Sequence, residues 1–276
     1  MNTTENLSLN LATVRAQWDM RQAVEACLAH GITAISPWRD QVQKIGLAEA
    51  EKLVRDNGLR VTGLCRGGMF PAADAAGRKA AVEDNKRAIE EAARLHADCL
   101  VMVVGGLPAG SRDIRSVREM VAEGMRQILD DSRAAGVKLA VEPLHPMYAA
   151  DRACVNTLEQ ALDLCELLGP DVGVAIDAYH VWWDPKLAGQ IARAGAGHRI
   201  FAHHICDWLV PTRELLMDRG MMGDGVVDLK GLRRAIEQAG YHGPQEVEIL
   251  SSHWGSRPGE EMLRTVIERY NSVCLP

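Results

Sequence analysis

Four side chains that can bind a metal ion or transfer a proton lie near the ends of short apolar segments in the C-terminal half of the chain. They are Glu142 in KLAVEPL, Asp177 in VGVAID, one of His203 and His204 in IFAHHIC, and one of Glu246 and Glu248 in QEVEILS. Charged groups in apolar segments are costly unless they are paired or coordinated. Three carboxylates and one imidazole suit manganese, magnesium, cobalt or zinc, so the set predicts one divalent metal ion.

The elements that must position these side chains follow from the hydrophobic pattern, in which short apolar segments alternate with helical ones. Eight segments predict strands, at 8–14, 31–38, 59–65, 99–106, 138–144, 172–177, 200–206 and 245–251. Eight βα units over roughly 250 residues fit a (β/α)8 TIM barrel. We therefore predict an α/β fold with a single barrel domain over residues 1–276. The alternative, an open doubly wound sheet, lacks a Gly-x-Gly-x-x-Gly turn after any strand.

Side-chain alternation along a strand decides between the two adjacent histidines. In KLAVE and VGVAID, bulky and small residues alternate, and Glu142 and Asp177 share the face of the small ones. If small residues face the barrel interior, the same pattern in FAHHIC places Phe201 and His203 outward and His204 inward. We therefore expect His204 to bind the metal and His203 to lie beneath a helix.

The same alternation leaves both Glu246 and Glu248 on the inward face of the last strand. Glu248 lies nearer the C-terminal end of the strand, where the active sites of such barrels are built. Glu246 is then a supporting carboxylate or a buried ion-pair partner. The metal ligands predicted from alternation are Glu142, Asp177, His204 and Glu248.

Composition limits the class of partner. The chain has 276 residues and a net charge of -6, so it lacks the basic character expected for nucleic-acid binding. It has no apolar segment of roughly 18 residues, and its first residues do not resemble a secretory signal, so we expect a cytoplasmic protein with no membrane partner. A small molecule is the expected partner, and the seven cysteines are expected to be reduced.

Five motifs, taken in order, resemble one known family. VEPLHP, IDAYH, HICD, GDGVVDL and GYHGPQEVEI are similar to motifs of the xylose-isomerase-like (β/α)8 superfamily. This group includes sugar isomerases, ketose 3-epimerases, inosose-handling enzymes and endonuclease IV. The resemblance implies the same four metal ligands that alternation predicts.

The resemblance also implies residues that contact substrate. His180 stands three residues after Asp177, where ketose epimerases have a substrate-binding histidine, and Asp207 completes a His-x-x-Asp motif. These epimerases carry an arginine six residues after the seventh-strand histidine, where this chain has Val210. Arg213 is the nearby basic residue that we expect in its place.

Three further residues are expected to contact substrate because they lie near strand ends or in a loop that follows a strand. They are Trp38, Arg66 and His145. Arg66 could bind a phosphate, but one arginine does not make a phosphate site. Phosphorylated and free sugars therefore both remain open.

The activity implied is a metal-dependent isomerase or epimerase acting on a keto-sugar or inosose, with manganese as the expected ion. The cation would stabilise an enediolate, and Glu142 and Glu248 would remove and return the proton. The alternative fate of the same intermediate is loss of a β-substituent, which would make the enzyme a lyase or dehydratase. The resemblance also suggests a homodimer or homotetramer.

Two other classes are less compatible with the sequence. An endonuclease IV-like DNA-repair enzyme would need additional ligands on the first four strands, where this chain offers mainly Asn10, Ser36, Cys65 and glycines. A non-catalytic sugar-binding barrel would not need four metal ligands that include two glutamates.

Overall fold

A computed structural model describes residues 3–275 of the 276-residue chain. The strands in this range are β1 Leu7–Asn10, β2 Ala34–Ser36, β3 Arg60–Val61, β4 Leu64–Gly68, β5 Leu100–Val103, β6 Leu139–Val141, β7 Val172–Asp177, β8 Ile200–Ile205, β9 Asp207–Trp208, β10 Arg219–Gly220 and β11 Gln245–Val247. Nine of them form one parallel sheet in the order β3-β2-β1-β11-β8-β7-β6-β5-β4, and β9 and β10 form an antiparallel pair.

The sheet curls into a nearly closed barrel because its two end strands are parts of the same segment. β3 pairs with β2, whereas β4 pairs with β5. Between them, the Thr62 amide donates to the Ile35 carbonyl and the Cys65 amide donates to the Pro37 carbonyl, at 2.9 and 3.0 Å. The predicted third strand, 59–65, is therefore interrupted in the middle. The predicted α/β barrel is confirmed.

Helices follow the strands and cover the barrel. They are α1 Met20–Ala29, α2 Arg39–Ile45, α3 Leu47–Asp56, α4 Ala75–Arg94, α5 Ile114–Arg126, α6 Leu129–Ala135, α7 Leu158–Leu168, α8 Ala178–Val181, α9 Leu187–Ala196, α10 Leu229–Gln238, α11 Ser252–Gly255 and α12 Gly259–Arg269. Seven of them begin at a residue whose side chain accepts a hydrogen bond from a first-turn amide, which satisfies an otherwise free donor. These caps are Asp19, Asp74, Asp113, Thr157, Asp177, Asp228 and Ser251.

The barrel interior is lined by small side chains, as the alternation predicted. Cys65, Cys99, Val101, Ala140, Ala175 and Ala202 form a buried cluster separate from the main core. The bulky neighbours of the small residues, such as Leu139 and Val174, belong to the larger core. The small interior side chains leave room for the polar groups at the C-terminal ends of the strands.

Phe201 is an exception to the alternation. The register between β7 and β8 shifts so that Val174 pairs with Ile200 and Ala175 with Ala202, which leaves Phe201 as an extra residue. Its ring packs against the interior cluster, 2.6 Å from where a Cβ on Gly173 would lie. The outward position predicted for Phe201 is wrong because this bulge adds one residue to the strand. Beyond the bulge, His203 and His204 keep their predicted faces.

The long loop after β8 folds back onto the barrel mouth. Its strands pair Arg219 with Trp208 and Gly220 with Asp207. A Cβ at Gly225 would lie 2.2 Å from the Trp208 carbonyl oxygen, so only glycine permits this close approach.

No helix within residues 3–275 has both the length and the apolar character needed to cross a membrane.

Candidate metal centre and substrate cavity

The four predicted metal ligands come together at the C-terminal end of the barrel. Asp177 and His204 are paired directly across β7 and β8. Glu142 and Glu248 each lie one residue beyond a strand, and their amides still bond to the neighbouring strand, at Met102 and Ile205. One potential ligand atom from each of the four residues lies within 4.8 Å of the others, and all four residues are buried.

The contacts within this cluster fit a bound cation better than a hydrogen-bonded network. Nδ1 of His204 lies 2.9 Å from Oε1 of Glu142 and 3.5 Å from Oε2 of Glu248. Oε1 of Glu142 and both ring nitrogens of His204 are nevertheless buried without a well-aligned hydrogen bond. Donors held about 2.1 Å from one ion lie roughly 3.0–3.4 Å apart, which is close to these separations. The donors therefore fit a divalent metal ion.

The electrostatics of the cluster show how strongly it favours positive charge. Burial opposes protonation of His204, but Glu246 and Glu142 outweigh this effect and hold the pKa of the imidazole well above its usual value. Burial raises the pKa of Asp177 despite the nearby Arg219 guanidinium. A cation at this position would compensate the same carboxylates.

Arg219 is the site residue that sequence reasoning missed. Its buried guanidinium places Nη1 2.8 Å from Oδ2 of Asp177 and 3.1 Å from Oε2 of Glu248. The same group lies 4.6 Å above the Tyr179 ring. Arg219 is the one basic residue in MDRGMM, and this local pattern does not indicate a place in the site. Its distance from the His-x-x-Asp motif gave no reason to assign it to the site.

His180 lies above the cluster as a neutral imidazole. Burial lowers the pKa of His180 well below its usual value, and the Arg219 charge lowers it further. Its Nδ1 accepts a hydrogen bond from the His145 amide at 3.2 Å, and its Nε2 lies 3.2 Å from Nη2 of Arg219. Its place at the cavity fits the substrate contact that the resemblance implies.

A narrow cavity of about 50 Å³ opens above the metal ligands. Glu142 and Glu248 reach its wall, whereas Asp177 and His204 are fully buried beneath it. Predicted contact residues Trp38, Arg66 and His180 also line it, together with the unpredicted Tyr148, Arg152 and Arg219. Trp38 is held in place by a 2.8 Å hydrogen bond from its indole nitrogen to Asn10 Oδ1.

The model of one protein family, described as xylose isomerase-like TIM barrel, matches residues 24–273. The chain belongs to this family.

Curated relatives of this chain are named for isomerase and epimerase activities. An inosose isomerase of Bacillus velezensis is 24% identical over 281 residues, covering 97% of this chain and 96% of the relative. An L-ribulose-5-phosphate 3-epimerase, UlaE, of Shigella flexneri is 26% identical over 223 residues, covering 76% of this chain and 71% of the relative.

Solved structures show the same fold over nearly the whole chain. Protein SMc04130 of Sinorhizobium meliloti 1021 superposes with a TM-score of 0.98 at 65% identity, covering 99% of this chain and 100% of the other. The IOLI protein with a zinc atom bound superposes with a TM-score of 0.83 at 20% identity, covering 99% and 98%.

Three predicted substrate contacts, His145, Asp207 and Arg213, are not among the residues that line the cavity. The His145 ring stacks on Trp208 with centroids 4.9 Å apart, and its amide donates to Nδ1 of His180. The Asp207 carboxylate accepts hydrogen bonds from the amides of Trp208, Gly223 and Val227, at 2.9 to 3.0 Å, and so holds the loop after β8 in place.

Arg213, predicted as the substrate-binding arginine of this loop, lies away from the cavity. Its side chain is 62% exposed and pairs with Asp218. The guanidinium that the loop brings to the ligands belongs to Arg219, six residues further along the chain. The chain reverses between β9 and β10, so Arg219 returns to a place beside Trp208 while Arg213 lies in the connecting segment.

His203 and Glu246, whose roles the sequence leaves open, are both buried but have different surroundings. Burial lowers the pKa of His203 to about 3, and its Nε2 has no hydrogen-bond partner among residues 3–275. Glu246 lies below the cluster, where Asn10 and Thr62 donate to its carboxylate at 2.8 and 2.9 Å. Its Oε1 is 3.5 Å from Nε2 of His204, so it faces the side of the ring opposite Glu142. Such a partner orients a metal-binding histidine.

Proposed function

We propose that this protein is a divalent-metal-dependent isomerase or epimerase of a keto-sugar or inosose. The observation that carries the proposal is the position of Glu142 and Glu248, which reach one cavity from strands separated by β7 and β8. The names of the curated relatives support the same class.

The chain's own residues divide the work of proton transfer. One of the two glutamate carboxylates removes the proton from the carbon beside the substrate carbonyl, and the other returns it. Return to the opposite face of the same carbon gives an epimer, and return to the neighbouring carbon gives an isomer. His180 would orient substrate oxygens from above, while Leu144, Leu216 and Leu250 help exclude water.

Glu142, Asp177, His204 and Glu248 would hold the metal ion. When bound, a divalent cation supplies Lewis-acid stabilisation of the negative charge that develops on the substrate oxygens. Manganese is the proposed ion, with magnesium, cobalt and zinc as alternatives, and the zinc in the IOLI structure supports a divalent ion in this fold. A cytoplasmic homodimer or homotetramer acting on a small sugar or polyol is part of the proposal.

Solvent-deuterium exchange tests this function before the product is known. Inososes and ketoses are incubated in D2O with excess manganese and either the wild-type protein, Glu142→Gln or Glu248→Gln. We expect wild-type exchange at the carbon beside the carbonyl and a loss of at least about 100-fold in each variant. Glu268→Gln, an exposed change on α12, serves as the matched control and should exchange normally. Exchange that persists in both cavity variants would refute the two-carboxylate mechanism.

A further inference from the structure

Two arginines line the cavity beside the glutamates and have no role in the metal centre. Arg66 comes from β4, and Arg152 comes from the loop after β6. Burial lowers the pKa of Arg66, and the positive charge of Arg152 contributes to the same shift. The two guanidinium groups therefore repel each other across the same cavity.

Arg66 is a half-buried cation with no carboxylate partner. It forms no ion pair with any residue between 3 and 275. Arg15 and Arg39, which share with it a second opening of about 430 Å³, both form ion pairs with carboxylates. That opening also shares Trp38 and Cys65 with the cavity, so Arg66 lies between the two spaces.

Arg152 is also poorly compensated. Its Nε is buried and makes no well-aligned hydrogen bond. The nearest carboxylate is that of Asp151, 3.1 Å away, whose side chain is 69% exposed and therefore strongly screened by water. The guanidinium carbon lies 5.7 Å from the centre of the Tyr148 ring. Tyr148 and Arg152 both line the cavity.

The charges of the metal centre do not balance these arginines. The carboxylates of Glu142, Asp177 and Glu248 carry three negative charges, which a divalent ion and Arg219 would neutralise together. Glu246 is a fourth buried carboxylate, but it lies below the cluster against His204. On the cavity wall, Arg152 is itself 39% exposed and is offset by the exposed Asp151, whereas Arg66 has no carboxylate at ion-pair distance among residues 3–275. An unpaired guanidinium beside a second one favours an anionic ligand, because guanidinium groups bind carboxylate and phosphate oxygens through paired hydrogen bonds.

We propose that the substrate carries an anionic group, a carboxylate or a phosphate ester, which Arg66 and Arg152 bind while its carbonyl end reaches Glu142 and Glu248. This inference rests on the proposed function and adds the substrate class. The arginines are binding residues, so their loss should weaken binding of an anionic sugar more than binding of a neutral one.

The test compares each neutral ketose with its anionic counterparts. D-fructose is paired with D-fructose 6-phosphate and with D-fructuronate, and L-ribulose is paired with L-ribulose 5-phosphate. Binding to the manganese-loaded protein is measured by calorimetry, and deuterium exchange is measured in parallel. The proteins are wild type, Arg66→Gln, Arg152→Gln and the control Arg234→Gln, which changes an exposed arginine on α10.

We expect at least one anionic sugar to bind roughly ten- to a hundredfold more tightly than its neutral counterpart. Arg66→Gln and Arg152→Gln should each remove most of that preference, because affinity for the anionic sugar should fall further than affinity for the neutral ketose, while Arg234→Gln changes neither. The phosphate and the carboxylate sugars identify which anion is preferred. No preference for any anionic sugar, or equal losses for neutral and anionic sugars, would overturn the inference.

The two readouts separate this inference from the proposed function. Exchange with neutral ketoses alone, unaffected by the arginine variants, would support the isomerase and contradict the anion site. Arginine-dependent binding of anionic sugars without exchange at any carbon would support the anion site and contradict the isomerase.

Discussion

Nη1 of Arg219 lies 2.8 Å from Oδ2 of Asp177, and both side chains are buried. The same nitrogen is 3.1 Å from Oε2 of Glu248, so one guanidinium compensates two predicted metal ligands. A metal ion bound to these carboxylates would also compensate their negative charge. The loss of Arg219 should therefore increase the stabilisation that a bound metal gives to the fold.

Arg219→Gln should make the fold more dependent on metal. Removing the cation leaves the charges of Asp177 and Glu248 without their partner, which should lower the free energy of unfolding of the metal-free protein by about 3 kcal/mol. Manganese should then raise the thermal midpoint by more than it does in the wild type. The measurement is thermal unfolding with EDTA and with excess manganese.

Arg213→Gln is the matched control for this change. It removes a guanidinium of the same loop that is 62% exposed, and its buried partner Asp218 keeps the hydrogen bond from the Arg213 amide, so it should cost less than Arg219→Gln and leave the manganese-induced shift unchanged. An equal manganese-induced shift in wild type and Arg219→Gln would mean that Arg219 does not influence metal binding.

The clustering of the four predicted ligands could be expected from sequence because their positions depend on local rules. Glu142 lies just after β6 and Asp177 at the end of β7, and parallel strands bring their C-terminal ends to one side of the barrel. Interruptions in a strand follow no such rule. The bulge at Phe201 and the break between β3 and β4 depend on how the barrel closes, which no single segment encodes.

Arg219 could not be predicted because its position depends on contacts distant in sequence. It reaches Asp177, 42 residues away, only after β10 pairs with β9 and Asp207 ties down the loop. Arg152 is similar, since a long loop carries it from β6 back to the cavity. Sequence rules located the side chains at the ends of regular strands, but not Phe201 at a bulge or Arg219 in a long loop.

His204 and His203 should differ completely in metal binding. His204→Ala removes an inward donor of the cluster and should weaken manganese binding by at least about 100-fold. His203→Ala changes an outward residue and should leave affinity within about twofold. Equilibrium dialysis with metal analysis gives both values. The reverse result would place the strand one residue out of register.

Asp207→Ala should loosen the loop after β8. Its carboxylate accepts from the amides of Gly223 and Val227, and leaving these donors without partners should cost about 1–3 kcal/mol of unfolding free energy. Urea denaturation and limited proteolysis of the loop measure the change. Asp224→Ala, which breaks a partly exposed pair with Arg269 in the same loop, should cost at most about 1 kcal/mol. Normal stability with lost substrate affinity would instead indicate that Asp207 contacts substrate directly.

His203 should make stability fall in mild acid. Its folded pKa of about 3 lies below the value near 6.5 expected when unfolded, so the unfolded chain binds the extra proton between these limits. The stabilisation is complete above pH 6.5 and is lost as pH falls toward 3, which amounts to about 2 kcal/mol by pH 5. Urea unfolding of the metal-free protein at pH 7.5 and 5 should therefore show a smaller pH-dependent loss for His203→Leu than for wild type. His242→Gln, an exposed change, should keep the wild-type dependence. An unchanged dependence in His203→Leu would show that His203 is protonated in the folded protein at pH 5.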